Sequence, residues 1–190
     1  MPITSSSLDG MKVAILVSDG FEQAEMTEPR KALESAGAQT QIVSPLDGSV
    51  RGWKHLDPAD TFEVDMPLQG ANADDFDALL LPGGVVNPDA LRIDPKAVAF
   101  VRAFVAADKP IAAICHGPWT LIDAGGVKGR KMTSWPSLRT DLQNAGAKWV
   151  DQDVVVDQNM VTSRKPDDLP AFNREMTKLF ELAHEDALQH

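Results

Sequence analysis

Apolar residues along this chain fall into short unbroken runs separated by longer mixed stretches. Residues 12–17 (KVAILV), 78–81 (ALLL) and 110–114 (PIAAI) are nearly all apolar and end in turn residues, the pattern of strands buried on both faces. Residues 39–44 alternate and predict a further strand. Between the runs, residues 22–36 predict a helix stopped by Gly37 and kinked at Pro29. Asp94-Pro95 opens another, running to about Ala107, with Val98, Val101 and Val105 on one face and Phe100 and Phe104 beside them. Shorter helices are expected at 117–125 and 137–145, and a long one over 167–187 with Pro170 near its start. Residues 50–53 and 61–65 predict a hairpin-like excursion around Asp57-Pro58. Short strands follow at 149–150, 154–157 and 160–163, with Asp157-Gln158-Asn159 as a turn.

Strands alternating with helices at this spacing define an α/β protein: a mostly parallel sheet with helices on both faces, in three layers. No repeat or linker divides it, so residues 11–190 are expected as one domain behind a polar, disordered tail over 1–10. Sheets of this kind form their crevice at the carboxyl ends of the strands. Three segments fall there: 19–25, 82–87 and 115–119.

Composition narrows the class. At 190 residues, with 43% hydrophobic and 24% charged residues, the chain suits one soluble domain with a sizeable core. Its net charge of −10, without a basic cluster, speaks against nucleic acid and anionic membranes as partners. One cysteine forms no internal disulfide, and neither a signal peptide nor a membrane-length apolar run is present, so a cytoplasmic protein is expected. His55, His184 and His190 have no ligand spacing, and Gly83-Gly84 lacks the lysine of a phosphate loop. No metal or cofactor is expected.

The single cysteine carries the chemistry. In Ala113-Ile114-Cys115-His116-Gly117-Pro118 it stands where a strand turns sharply into a helix, with small residues two before and two after, as a nucleophile elbow requires. The helix N-terminus behind it is expected to favour thiolate over thiol. A lone cysteine is otherwise most often an inert buried hydrophobe; the elbow context favours the reactive reading.

Three further segments accompany the elbow: Asp19-Gly20-Phe21-Glu22-Gln23-Ala24-Glu25, Leu79-Leu80-Leu81-Pro82-Gly83-Gly84 and Gly129-Arg130-Lys131-Met132-Thr133-Ser134-Trp135-Pro136. Together, over roughly residues 11–182, they resemble the PfpI group of the ThiJ/PfpI superfamily, relatives of class I glutamine amidotransferase domains. The resemblance implies a flavodoxin-like sandwich and an oligomer, dimeric or larger, with the site near a subunit interface. It implies that the Glu22 carboxyl lies against the Cys115 sulfur, whereas Glu25 is expected on the helix surface or at an interface. It assigns His116 as the catalytic histidine, oriented by an acid from a neighbouring subunit. Asp89 is the matching position, although founding members carry glutamate there and their loop differs by one residue.

Each assignment has a plainer alternative. Glu22 also reads as an acidic first-turn residue, and Asp89 as the N-cap of a short helix. Gly83 and Gly84 let backbone N–H groups approach a substrate, so Gly84 or Val85 with His116 would form an oxyanion hole; the same glycines serve a tight turn. Trp119 and Trp135 are expected on the pocket walls or in packing. What the resemblance implies is a stress-response cysteine hydrolase of methylglyoxal or glyoxal adducts, a deglycase or glutathione-independent glyoxalase acting on small-molecule or glycated substrates. The alternatives are an intracellular cysteine peptidase and a redox-responsive protein in which Glu22 stabilises oxidised Cys115.

Overall fold

A computed structural model describes residues 7–190. In chain order the strands and helices are β1 (Lys12–Leu16), β2 (Phe21–Glu22), α1 (Gln23–Ser35), β3 (Gln39–Ser44), β4 (Ser49–Lys54), β5 (Asp57–Glu63), β6 (Met66–Pro67) and β7 (Ala78–Leu81). They continue as α2 (Val86–Arg92), α3 (Pro95–Ala106), β8 (Ile111–Ile114), α4 (Pro118–Asp123), β9 (Lys131–Met132), α5 (Arg139–Asn144), β10 (Lys148–Trp149), β11 (Val154–Asp157), β12 (Met160–Ser163) and α6 (Leu169–Leu188). A seven-stranded sheet in the order β11-β12-β8-β7-β1-β3-β6 forms the middle layer. All its pairings are parallel except β11 with β12. The apolar runs explain this: β1, β7 and β8 lie inside the sheet and bury both faces. Leu16, Leu79, Leu81 and Ala113 pack towards α3 and α4, while Val13, Ile15, Leu80 and Ile114 pack towards α1 and α6.

The flavodoxin-like α/β sandwich expected from the sequence is therefore present. Chain direction across the sheet reverses between β3 and β7, on either side of β1. The crevice belongs at that switch point, above the carboxyl ends of β1 and β7.

Several details depart from expectation. Of the residues expected as a tail, 1–6 lie outside the described ones, but Ser7–Gly10 form an ordered turn. Leu8 is fully buried there, and its N–H donates to Ala36 O at 2.9 Å. An apolar side chain with a core to enter outweighs polar neighbours. α1 runs unbroken through Pro29, which is buried with Met26 and Leu33 on the helix face towards the core. The hairpin turn falls at His55-Leu56, so Asp57 and Pro58 open β5 instead of forming the turn. Among the unforeseen elements are the two-residue strands β2, β6 and β9, and the short helix weighed at Asp89 begins earlier, at Val86.

Candidate active site

Cys115 leaves β8 in a left-handed conformation (φ 62°), an uncommon state for a residue with a side chain and one expected of an elbow. Its N–H donates to Ser163 O at 3.0 Å, and its carbonyl accepts from Trp135 N at 2.9 Å. Gly117 permits the turn, since a Cβ there would lie 2.5 Å from Leu81 O and 2.9 Å from Ile114 O. The thiol is buried and faces a cleft of about 270 Å³ whose walls include Glu22, Glu25, His55, Leu56, Gly84, Val85, His116, Trp135 and Pro166.

His116 turns back to its neighbour despite the divergence of adjacent side chains, and its Nδ1 lies 3.2 Å from the Cys115 Sγ. Two indoles hold the ring: Trp119 meets it edge-on at 5.1 Å, and Trp135 stacks at 5.9 Å. Burial penalises the imidazolium and lowers its pKa to about 4, so the ring is neutral near pH 7. Trp119 supports His116 from behind and does not line the cleft. Its Nε1 donates to Asp141 Oδ2 at 3.0 Å, and the Arg92 guanidinium lies 5.3 Å from its ring centroid. Of the two tryptophans, Trp135 forms a wall.

The acid against the sulfur is Glu25, in place of the expected Glu22. Glu25 is fully buried, its Oε1 accepts from Gly83 N at 3.1 Å, and its Oε2 has no hydrogen-bond partner among the described residues. Burial first, and the nearby Glu22 charge second, raise its pKa to about 8. Glu22 instead lies at the cleft mouth, where its Oε2 accepts from His55 N at 3.0 Å at the hairpin tip. One helical step explains the exchange. Glu25 stands four residues before Pro29 and eight before Leu33, on the stripe of α1 that enters the core. That spacing was the available signal for it.

The expectation of an acidified thiol is also corrected. Burial, and next the Glu25 carboxyl, push the Cys115 thiol well above its ordinary value. The backbone N–H groups of Gly84 and His116 face the sulfur and act in the opposite direction, without prevailing. These are the two donors foreseen for an oxyanion hole, with Gly84 rather than Val85 as the second; Val85 sits exposed at the rim. Gly83 is confined between the pair: a Cβ there would fall 2.6 Å from both Cys115 Cβ and Glu25 Oε1.

Asp89 lies on the exposed side of α2 and does not line the cleft. Nor is it a cap, because Val85 occupies the N-cap of that helix. Sequence reasoning also missed Asn87, His55 and Leu56. The last two reach the cleft only because the hairpin folds over it.

The profile of the DJ-1/PfpI family matches residues 11–179. YraA of Bacillus subtilis (strain 168), whose name describes a cysteine protease, is 47% identical over 168 residues, covering 88% of this chain and 97% of its own. Deglycase TK1284 of Thermococcus kodakarensis is 46% identical over 169 residues, covering 89% of this chain and 99% of its own. Among solved structures, DJ-1beta of Drosophila melanogaster superposes with a TM-score of 0.80 over 94% of this chain and 97% of its own, at 24% identity.

Proposed function

The chain belongs to the DJ-1/PfpI family, and from that premise we propose that it is a cysteine-dependent hydrolase of small carbonyl adducts of the methylglyoxal and glyoxal type, with Cys115 as nucleophile. The supporting observation is the placement of the Cys115 sulfur at the floor of a small cleft, 3.2 Å from a neutral imidazole and beside a buried carboxyl. In the first step Sγ forms a bond to the adduct's carbonyl carbon. The thiol proton passes to His116 Nδ1, and the carbonyl π pair moves onto oxygen. The N–H groups of Gly84 and His116 are close enough to the sulfur to receive that oxyanion. Glu25, protonated below its raised pKa, has Oε2 available as a donor towards the same charge. In an adduct whose nitrogen or sulfur sits on the attacked carbon, the oxyanion re-forms the carbonyl as that C–N or C–S bond breaks, and His116 returns the proton to the leaving group. Water then adds to the Cys115 thioester, its proton passing through His116 to the sulfur, and releases the acid and the free thiol.

A cleft of about 270 Å³ closed on one side by the hairpin tip suits a small adduct better than an extended polypeptide, which favours this reading over the peptidase. In the redox alternative, the carboxyl beside an oxidised Cys115 would be Glu25, not Glu22. Turnover of methylglyoxal and of its N-acetyl-lysine adduct, measured in wild type and Cys115→Ser, tests the proposal. The variant should keep its fold and lose at least ~100-fold in kcat. Unchanged turnover would remove Cys115 from the chemistry.

A second copy of the chain is part of the same proposal. Leu56, Val85, Val86, Ile93 and Trp135 are exposed around the cleft and along α2. Val86, Asp89 and Ile93 share one outward helix face. A carboxylate set in such an apolar face would reach the partner's site once that face is covered, and the ring nitrogen of His116 turned away from Cys115 is what it would orient. Asp89→Ala should then lower kcat about tenfold with KM and oligomer size unchanged. Wild-type kcat would leave Asp89 as a surface charge.

A further inference from the structure

Asn87 is completely buried between the two loops of the crevice, and all its hydrogen bonds run to backbone. Its Oδ1 accepts from Ser18 N at 2.6 Å, at the end of β1. Its Nδ2 donates to both Pro82 O and Gly83 O at 3.1 Å. The side chain has one orientation that satisfies these partners, because an N–H needs the amide oxygen and two carbonyls need the amide nitrogen.

Those two carbonyls are the rear ends of the site's donors. In a trans peptide the C=O and the following N–H point in opposite directions. The peptide carrying Pro82 O ends in the Gly83 N–H, which donates to Glu25 Oε1 at 3.1 Å. The peptide carrying Gly83 O ends in the Gly84 N–H, which faces the Cys115 sulfur and the Glu25 carboxyl. Neither glycine has a side chain to fix its peptide plane, so the orientation must come from outside.

We propose that Asn87 is the positioning residue of the Cys115–Glu25 pair: one side-chain amide holds two peptide planes so that their N–H ends stay aimed at the carboxyl and the sulfur. By accepting from Ser18 it also ties this loop to the segment that leads from β1 through β2 into the helix bearing Glu25. Hydrogen bonds in series polarise one another, so donation to the carbonyls strengthens the opposite N–H groups as donors. The role rests on Cys115 and Glu25 being the reactive pair, and it adds a residue that touches neither.

The test is the pH dependence of Cys115 alkylation by iodoacetamide in wild type, Asn87→Asp and Asn87→Leu, with Phe104→Leu in α3 as a core variant that does not line the cleft. A carboxylate cannot donate to the two carbonyls, and leucine fills the space without bonding. Both variants should show an alkylation profile moved to higher pH and a rate at pH 7 lower by about tenfold, the scale of one lost charge-assisted hydrogen bond. Carbonyl-adduct turnover should lose kcat with KM kept. Phe104→Leu, destabilised to a similar degree, should retain the wild-type profile. Wild-type profiles in both Asn87 variants would overturn the assignment, as would an equal shift in Phe104→Leu. Should neither Asn87 variant fold, nitrogen-15 spectra of the wild type decide. The Asn87 side-chain amide and the Gly83 and Gly84 amides must then titrate together with the pair, and an indifferent Asn87 resonance overturns the proposal. A wild-type thiol that never reacts would count against the reactive-pair reading alone, leaving Asn87 to be judged by whether those resonances follow Glu25.

Discussion

Glu25 and Cys115 share a space too dry for two negative charges. Burial raises both pKa values and the Glu25 carboxyl raises that of Cys115 further, while the hydrogen bond from Cys115 works the other way on Glu25, so the two groups give up their protons as a linked pair. The first proton it releases leaves one anion flanked by the Gly84 and His116 N–H groups and by the remaining acid. The second must be removed against that anion. Glu22 adds a charge at the mouth that further discourages ionisation of Glu25. Wild-type alkylation should therefore rise with pH in two steps, since the carboxyl and the thiol titrate jointly. In Glu25→Gln the second proton is absent, and the rate should follow a single ionisation. Stopped-flow alkylation across pH 5–11 distinguishes the two profiles. A single step in the wild type would mean that the groups do not couple.

At the scale of elements, legibility followed the source of each element's stability. The strands β1, β7 and β8 declare themselves because they are buried on both faces, which demands unbroken apolar sequence. The elbow declares itself because its turn excludes a side chain at Gly117, and steric exclusion is written in residue size. α3 is announced by Asp94, whose carboxylate accepts from Lys96 N and Ala97 N. The two-residue strands β2, β6 and β9 carry no such local signal, since their order comes from neighbours distant in the chain. Site residues divide in the same way. Cys115, Gly83 and Gly84 were visible because the elbow and the tight turn require such residues, and His116 because the family resemblance assigned it. Asn87 was not, because its meaning lies in a bond to Ser18, 69 residues away. Glu25 was misplaced because a glutamate in a helix is ordinarily exposed, and only its alignment with Pro29 and Leu33 marks it as inward.

For the whole molecule, the site is a source of instability that depends on pH in two opposite directions. His116 has a folded-state pKa of about 4, below the ordinary histidine value near 6.5. Its contribution is present above that ordinary value and is lost as pH falls through the folded one. Glu25 has a folded-state pKa of about 8, above its ordinary 4.5. Its contribution is full below the ordinary value and is lost as pH rises through the folded one, because the unfolded chain then holds fewer protons than the native one. Between pH 4.5 and 6.5 the two slopes oppose each other and stability changes little on their account. From pH 6.5 to 8 histidine is silent and Glu25 acts alone among these two, at up to ~1.4 kcal/mol per pH unit. The Cys115 thiol, also raised, extends the decline beyond that range. Over pH 6.5–8 the wild type should thus lose about 2 kcal/mol, or roughly 4–8 °C in Tm for a chain of this size. Glu25→Gln, with nothing to ionise at that position, should lose much less over the same interval. Differential scanning calorimetry at the two pH values checks this. An equal decline in both proteins would show that Glu25 ionises freely in the native state, which its burial between Gly83 and Cys115 argues against.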